Sequence, residues 1–335
     1  MKQIILIALT AVLALVLPAQ GKDLIKMSTL GPGSSPNLVM TTFATIINKQ
    51  SHGNIEIQVN ATGTAPKHAI EAASGKVDLF MYAPIVHHFM KQRKAMFTKV
   101  KKAPELAKKL RGVLSFPIGV YHFTVYEESG IKSLKDIKGK KVFLGPPVGA
   151  ASVIAAGVIK AVTGYEAGKD YTAVKLGWGP AAQAFQDRQL DIYVNPTNAP
   201  SPVIQQVALS HKLRFLGLSE KDLKNEEVIK LYKRPGGKIG VIPAGTYGKN
   251  QMNDNDVTSI AAIVGVGVGK HVPTVVVYSM TKAFWENIES ETKGAPWLRA
   301  VKIESAFDQM NLPLHPGAYL YYKKRGLDIP EKLKP

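Results

Sequence analysis

From Lys22 onward, short apolar runs alternate with longer stretches in which apolar residues recur every three or four positions. The first pattern is typical of buried strands and the second of amphipathic helices. A first unit is predicted with strands at residues 24–29, 55–60 and 77–82 and helices at 37–49 and 66–74. Strands that alternate with helices predict an α/β structure built on a parallel sheet.

A second unit with the same alternation begins after residue 120. Its predicted strands are residues 120–126, 141–144, 173–176, 190–194 and 213–218, and its predicted helices run from about 150 to 162, 180 to 188 and 205 to 210. Because one supersecondary pattern occurs twice, and the length suits two domains, we expect two similar α/β lobes.

Residues 258–269 are almost continuously apolar, which predicts a buried strand that returns the chain to the first lobe. Helices are predicted after it at 272–290, 297–310 and 316–325. The chain then crosses between the lobes near 120–126 and 255–268, and two crossings form a hinge. We expect lobe 1 to hold residues 22–120 plus 256–335, lobe 2 to hold residues 121–255, and a ligand cleft to lie between them.

The first 21 residues have the layout of a secretory signal peptide. Lys2 supplies a positive charge, an apolar run of about 14 residues follows, and small residues permit cleavage after Gly21. A bilayer span needs about 20 apolar residues, although an uncleaved anchor remains an alternative. The chain has no cysteine, which excludes a lipoprotein, disulfides and thiolate chemistry. We therefore expect an exported protein that lies in the periplasm.

The net charge is +18, and nine Lys or Arg residues lie between Lys91 and Arg111. A basic balance can indicate nucleic acid, an anionic membrane surface or acidic substrates. The sequence contains no recognisable nucleic-acid-binding module and the chain is predicted to be exported, so we expect no nucleic-acid partner. The basic segment is either a solvated surface or a surface that faces acidic lipids or a membrane partner.

A search for catalytic and metal-binding patterns gives no candidate. Gly-x-Ser-x-Gly and His-Glu-x-x-His are absent, and residues 265–270 lack a glycine that a phosphate loop requires. His87 and His88 are adjacent, so their side chains point in different directions on a helix. We therefore expect a protein that is not an enzyme, with no catalytic residue, no metal and no cofactor.

Several segments, in order along the chain, resemble one receptor family. They are residues 61–79 (ATGTAPKHAIEAASGKVDL), 128–142 (ESGIKSLKDIKGKKV), 242–247 (IPAGTY), 272–273 (VP), 312–318 (LPLHPGA) and 321–322 (YY). They are similar to the TAXI family of solute receptors for TRAP transporters, and the similarity covers nearly all of the chain after residue 21. The resemblance implies a two-lobed periplasmic-binding-protein-like fold and integral-membrane TRAP permease subunits as partners.

Other positions depart from the pattern of that family. The first loop reads GPGSSPN at residues 31–37 where the family usually has GTGGTYYP, and residues 82–85 read YAPI where it has VQSD. Several polar positions that face the ligand in the family are thus apolar or aromatic in this chain. Members that bind glutamate or 2-oxoglutarate would need those groups, so the resemblance does not carry that substrate over.

The candidate ligand-binding residues follow predicted strands, where open α/β sheets bind ligands. They are Ser34, Ser35, Thr62, Gly63, Thr64, His68, Tyr82, Ser152, Trp178, Asn195, Thr197 and Asn198. Each has a structural alternative. The two serines could cap a helix, Trp178 and Tyr82 could pack in the core, and His68 could lie on the surface.

These expectations combine into one function. The chain is predicted to be an extracytoplasmic solute-binding protein of a TRAP-type secondary transporter that captures a small, carboxylate-bearing organic solute by closing its lobes. Free N–H groups at helix N-termini suit such a carboxylate. Two alternatives stay open at this point: a ligand-sensing periplasmic protein that signals to a membrane receptor, and an ABC-type receptor for sulfonates or aromatic acids.

Overall fold

The computed structural model describes residues 22–335, and the predicted signal peptide lies outside that range. The strands are β1 (Asp23–Ser28), β2 (Ile55–Asn60), β3 (Leu79–Tyr82), β4 (Leu110–Tyr126), β5 (Lys141–Phe143), β6 (Thr172–Ala173), β7 (Ile192–Thr197), β8 (Leu213–Leu216), β9 (Gly237–Ile242) and β10 (Val257–Gly269). The helices are α1 (Ser35–Gln50), α2 (Ala65–Ala73), α3 (Pro84–Gln92), α4 (Ala103–Ala107), α5 (Ala150–Thr163), α6 (Trp178–Gln186), α7 (Pro202–Ala208), α8 (Glu220–Leu223), α9 (Glu226–Lys233), α10 (Thr274–Glu291) and α11 (Pro316–Lys324).

The strands form a curled mixed sheet in the order β2-β1-β3-β10-β4-β7-β5-β6. Pairing is parallel within each end of the sheet, between β1 and both β2 and β3, and between β5 and both β6 and β7. The long strands β4 and β10 are antiparallel to each other and to their other neighbours. The two parallel ends are the nuclei of two lobes, and β4 and β10 join them.

Each connecting strand belongs to both lobes. In β4, residues 110–120 pair with β10, whereas residues 120–126 pair with β7 or β8. In β10, residues 265–268 pair with β3, and residues 257–262 pair with β9. The chain therefore passes between lobes inside continuous strands, and the lobe boundaries predicted from the sequence stay a prediction.

A β-bulge interrupts the pairing of the two connecting strands. Ile263 lies opposite Pro117 and Ala262 lies opposite Gly119, so Ile118 has no partner residue. An extra residue of this kind bends a strand and increases its twist. The bulge thus directs the Ile118 side chain toward the space between the lobes.

The predicted helix at 297–310 is wrong. The segment contains two short 3₁₀ turns, Pro296–Ala300 and Ile303–Ser305, and lies against β4, where Ala306 accepts a hydrogen bond from the Ser115 N–H. The apolar periodicity of a helix was present, but docking on the sheet decided the conformation. The predicted strand at 173–176 is also shorter in the structure, where it spans Thr172–Ala173.

Six elements were not predicted or were predicted in part. Strand β4 begins ten residues before the predicted start at 120, because Pro117 lies at the bulge and not at a strand end. Helices α3, α4, α8 and α9 and strand β9 were not predicted at all. Among residues 22–335, no helix combines the length and the apolar character that crossing a bilayer requires.

Candidate functional site

A cavity of about 70 Å³ lies between the two lobes. Its wall comes from the loops that precede α1 and α2, from the end of β3, and from the middle of β4 and β10. The second lobe contributes the starts of α5 and α6, the end of β7, and the segment between α9 and β9. We call this space the central cavity.

Five helices, α1, α2, α3, α5 and α6, begin at the wall of the central cavity. The first N–H groups of a helix have no intrahelical partner, and they attract negative charge. Proline lacks an N–H group, and four of these helices have one among their first three residues: Pro36, Pro66, Pro84 and Pro180. Helix α5 begins Ala150-Ala151-Ser152 and has no side-chain cap, so it keeps the fullest set of free donors.

Arg234 also lines the central cavity, although it is not among the ligand residues predicted from the sequence. It follows α9, and its Nη1 donates to the carbonyl oxygen of Leu231. Its Nε is buried without a hydrogen-bond partner, and no Asp or Glu among residues 22–335 forms an ion pair with it. Burial lowers the pKa of Arg234, yet arginine stays charged in proteins.

The hydroxyl of Tyr121, in β4, interacts with the Arg234 guanidinium at the same wall. Burial raises the pKa of Tyr121 to about 12, against the opposing influence of Arg234. The hydroxyl therefore stays protonated and can donate a hydrogen bond. In the sequence, Arg234 was one basic residue among 43, and the Pro-Gly-Gly that follows it was the only local signal.

Four of the predicted ligand residues lie on the wall of the central cavity: Ser34, Gly63, Thr64 and Trp178. Ser34 is the N-cap of α1, where its hydroxyl donates to Gly31 (2.8 Å) and accepts from the Asn37 N–H (3.4 Å). Trp178 is buried and packs edge-on against Phe143, with ring centroids 5.6 Å apart. The Ser34 and Trp178 side chains thus stabilise the local structure and also line the central cavity.

Thr62, His68, Tyr82 and Ser152 are near the central cavity but do not line it. His68 is buried and its Nε2 donates to the Thr62 carbonyl oxygen (2.7 Å), so this histidine supports the β2–α2 loop. The Ser152 hydroxyl donates to the carbonyl of Gly149 (2.9 Å). Burial lowers the pKa of His68 and raises that of Tyr82.

The Tyr82 hydroxyl belongs to a network that holds the C-terminal segment on the first lobe. It donates to Asn311 Oδ1 (2.5 Å) and accepts from the Asn311 N–H (2.8 Å). His87 Nδ1 lies 3.1 Å from the same Oδ1. Within the described part of the chain, no three His, Asp or Glu side chains are grouped as metal ligands would be.

Ser35, Thr197 and Asn198 lie on a different surface, which we call the hinge groove. This groove of about 540 Å³ is lined by the middle of β4, the end of β7, the start of α1 and the 3₁₀ turn Pro296–Ala300. The structure therefore divides the predicted residues between two places. Ser35 is buried and its hydroxyl has no partner within residues 22–335.

Asn195 lies in neither the central cavity nor the hinge groove, and it joins the lobes directly. It is fully buried, and its Nδ2 donates to the carbonyl oxygen of Gly33 (3.1 Å) and to the Tyr193 hydroxyl (2.9 Å). Gly33 belongs to the β1–α1 loop of the first lobe, whereas Asn195 belongs to β7 of the second. This hydrogen bond can form only while the two lobes are close together.

The central cavity continues into a wider groove at the surface, which we call the outer groove. It has a volume of about 610 Å³ and shares five residues with the central cavity: Ile85, Ala150, Ile154, Arg234 and Pro235. Phe89, Val153 and Leu231 give its wall an apolar surface. Arg234 and the start of α5 thus lie at the junction of an enclosed space and an open one.

The fold and the cavity define a class: the chain has the two-lobed α/β fold of periplasmic solute-binding proteins, with a cleft between lobes that a hinge joins. Comparison with known families is consistent with this class. The chain belongs to the NMT1-like family, which matches residues 28–326.

Solved structures with the same fold have low sequence identity. A protein from Bordetella bronchiseptica RB50 is 14% identical, with a TM-score of 0.52 and coverage of 92% of this chain and 86% of that one. A periplasmic transporter structure is 17% identical, with a TM-score of 0.52 and coverage of 83% and 86%. A weaker likeness, with a TM-score of 0.47 and 14% identity, is to the alkanesulfonate-binding protein SsuA from Xanthomonas axonopodis pv. citri bound to MOPS, with coverage of 90% and 83%.

Proposed function

We propose that this protein is the extracytoplasmic solute receptor of a TRAP-type secondary transporter of the TAXI kind, and that it captures a small organic anion. The observation that carries the proposal is the central cavity, whose wall comes from both lobes and contains helix N-termini and an arginine that has no acidic partner within residues 22–335. A solute held there would contact both lobes, and its binding energy would favour the closed arrangement.

The assignment to TRAP systems is supported by the sequence segments IPAGTY at 242–247 and LPLHPGA at 312–318. Both segments have structural positions that explain their residue types. Pro316 is the first residue of α11 and His315 caps it, accepting from the Gly317 N–H. Tyr247 receives the Ser201 N–H on its hydroxyl (3.0 Å) and contacts His122 (2.9 Å) beside the hinge.

The proposal places the protein in the periplasm, with a signal peptide removed near Gly21 and permease subunits in the membrane as its partner. It includes no catalytic step, because the described residues around the central cavity hold no nucleophile with an adjacent base. A solute that enters would leave unchanged when the lobes reopen at the permease.

A thermal-shift screen of purified residues 22–335 against organic acids tests this function. A ligand at about 100 times its dissociation constant adds about 2.7 kcal/mol, which raises the melting temperature by roughly 5 °C. Ala151→Phe places a ring in the central cavity, and we expect it to abolish the shift while the far-UV circular dichroism stays unchanged.

Leu320→Phe is the matched control, since Leu320 is 48% exposed on α11 and does not line the cavity. This variant should bind like the wild-type protein. A screen in which no organic acid raises the melting temperature, or an Ala151→Phe protein that binds as well as wild type, would contradict the proposed function.

A further inference from the structure

The charges around the central cavity indicate the class of its solute, an inference that rests on the proposed function. We propose that the solute is an apolar monoanion: one carboxylate or sulfonate group on a short hydrocarbon body, with no ammonium group and no second acid. The anionic group is held at the junction of the central cavity and the outer groove, between Arg234 and the N-terminus of α5.

Arg234 provides the first half of this argument. Its guanidinium is anchored through Nη1 to Leu231 and interacts with the Tyr121 hydroxyl, whereas its buried Nε has no hydrogen-bond partner among residues 22–335. A buried charge that lacks an oppositely charged partner is costly, and the edge of arginine that carries Nε and Nη2 matches the two oxygens of a carboxylate or sulfonate. An anion from solution would therefore complete the site.

The same chain shows how that edge is used. Arg214 donates from Nε to Glu127 Oε2 (2.6 Å) and from Nη2 to Glu127 Oε1 (3.0 Å). Arg234 carries the same two donors and lines a cavity, and it has no protein carboxylate as a partner among residues 22–335. The oxygens of the bound anion thus take the place that Glu127 occupies beside Arg214.

Helix α5 provides the second half. Ala150 and Arg234 each line both the central cavity and the outer groove, so both lie at the junction of the two spaces. The first N–H groups of α5 are free of side-chain caps. The other four helices that start at the wall have lost N–H donors to proline, and α1 is also capped by Ser34. The start of α5, beside Arg234, therefore offers an anion the fullest set of free N–H donors.

The rest of the wall excludes further charge. Arg234 is the only Lys, Arg, Asp, Glu or His among the wall residues within 22–335. Apolar side chains surround the remaining space, including Leu30, Met81, Ile118, Ile154, Ile263 and Trp178. An ammonium group or a second carboxylate would lose its hydration there without a side chain of opposite charge to pair with, which costs several kcal/mol. Hydrocarbon gains about 25 cal/mol per Å² of buried surface in the same place.

The size of the central cavity favours a short body. It encloses about 70 Å³, less than the cavity of about 150 Å³ that takes up benzene in an engineered protein. A compact branched chain of a few carbons suits this space, and a longer one would extend into the outer groove beside Phe89 and Val153.

Isothermal titration calorimetry with matched compounds tests the proposal. The probes are 3-methylbutanoate, butane-1-sulfonate, L-valine (the first skeleton with an ammonium group), 3-methylbutanamide (the same skeleton without charge) and succinate (a second carboxylate). We expect a monoanion to bind at least about tenfold more tightly than L-valine, the amide or succinate. The comparison of butane-1-sulfonate with 3-methylbutanoate shows which of the two acid groups fits better, and a preference for either supports the proposal.

Arg234→Gln separates charge recognition from packing. We expect it to weaken the binding of the preferred monoanion by about 10- to 100-fold and to change binding of the amide by less than about threefold. Arg234→Lys, which keeps the charge and loses the two-donor edge, should give an intermediate loss. Arg299→Gln is the control, because Arg299 is exposed in the hinge groove, and it should bind like wild type.

The outcomes distinguish this inference from the function on which it rests. If succinate or L-valine bound more tightly than both monoanions, the solute class would be wrong and the clamp function would stand. Failure of both monoanions to bind would also overturn the class, and the wider thermal-shift screen would then decide the function by itself. Unchanged monoanion binding in Arg234→Gln would remove the arginine from the site.

Discussion

At the scale of single residues, Gly119 shows how closely the two lobes approach at the hinge. It has a φ of 93°, and a Cβ at this position would lie 2.0 Å from the Thr197 carbonyl oxygen in β7. Both the left-handed backbone and the contact exclude a side chain. We expect Gly119→Ala to lower the free energy of unfolding by about 2–4 kcal/mol, as measured by urea denaturation.

Gly164→Ala separates the effect of the left-handed backbone from the effect of the contact with Thr197. Gly164 ends α5 with a φ of 79°, and a Cβ there would meet nothing within 4 Å. It should therefore cost only about 1 kcal/mol, which reflects the backbone conformation alone. Equal losses for the two variants would show that the contact with Thr197 adds nothing.

At the scale of secondary-structure elements, an ion pair joins the end of β4 to β8. Arg214 bonds Glu127 through two nitrogens and, with help from Lys132, lowers the pKa of Glu127 to about 2. Because the folded-state pKa lies below that of the unfolded chain, the pair stabilises the protein above about pH 4 and loses its effect as the pH falls toward 2. We expect Glu127→Gln to cost about 1 kcal/mol near neutral pH and less in acid.

Urea denaturation of wild type and Glu127→Gln at both pH values measures this difference. Glu105→Gln is the control, since Glu105 pairs with Lys108 through side chains that are 70% and 72% exposed. Such an exposed pair contributes about 0–1 kcal/mol, so this variant should change little. If Glu127→Gln lowers the free energy of unfolding by the same amount near neutral pH and in acid, the ion pair with Arg214 is not the cause of the loss.

At the scale of the whole molecule, the hydrogen bond from Asn195 to Gly33 helps to hold the lobes together. Its loss in Asn195→Ala leaves a buried carbonyl without its donor and should shift the population toward an open form. We expect a larger radius of gyration by small-angle X-ray scattering in the absence of solute, and a return to the wild-type value when solute is added.

Asn48→Ala is the control for this experiment. Asn48 bonds both the N–H and the carbonyl of Ile57 inside the first lobe, so its removal should reduce stability without changing the radius of gyration. An Asn195→Ala protein with the scattering curve of wild type would show that this contact does not influence closure.

The local sequence pattern was sufficient to predict much of the first lobe and part of the candidate site. The strand at 55–60 was predicted with the same bounds, and the helix at 37–49 with nearly the same ones, because strong apolar periodicity with clear ends is a local property. Four predicted ligand residues line the cavity wall: Ser34, Gly63, Thr64 and Trp178. Each lies where a loop or strand end leads into a helix, and such ends meet at one edge of an α/β sheet.

The sequence by itself determined the alternation of strands and helices, the two lobes and the edge of the sheet where a cleft forms, since these follow from periodicity and chain order. Only the tertiary structure decided which side chains face that cleft. It brought Arg234 beside the start of α5, residues more than eighty positions apart, and it turned Asn195 toward Gly33. It also replaced the expected helix at 297–310 by 3₁₀ turns against β4. Such contacts depend on which surfaces are buried together, and a local pattern does not contain that information.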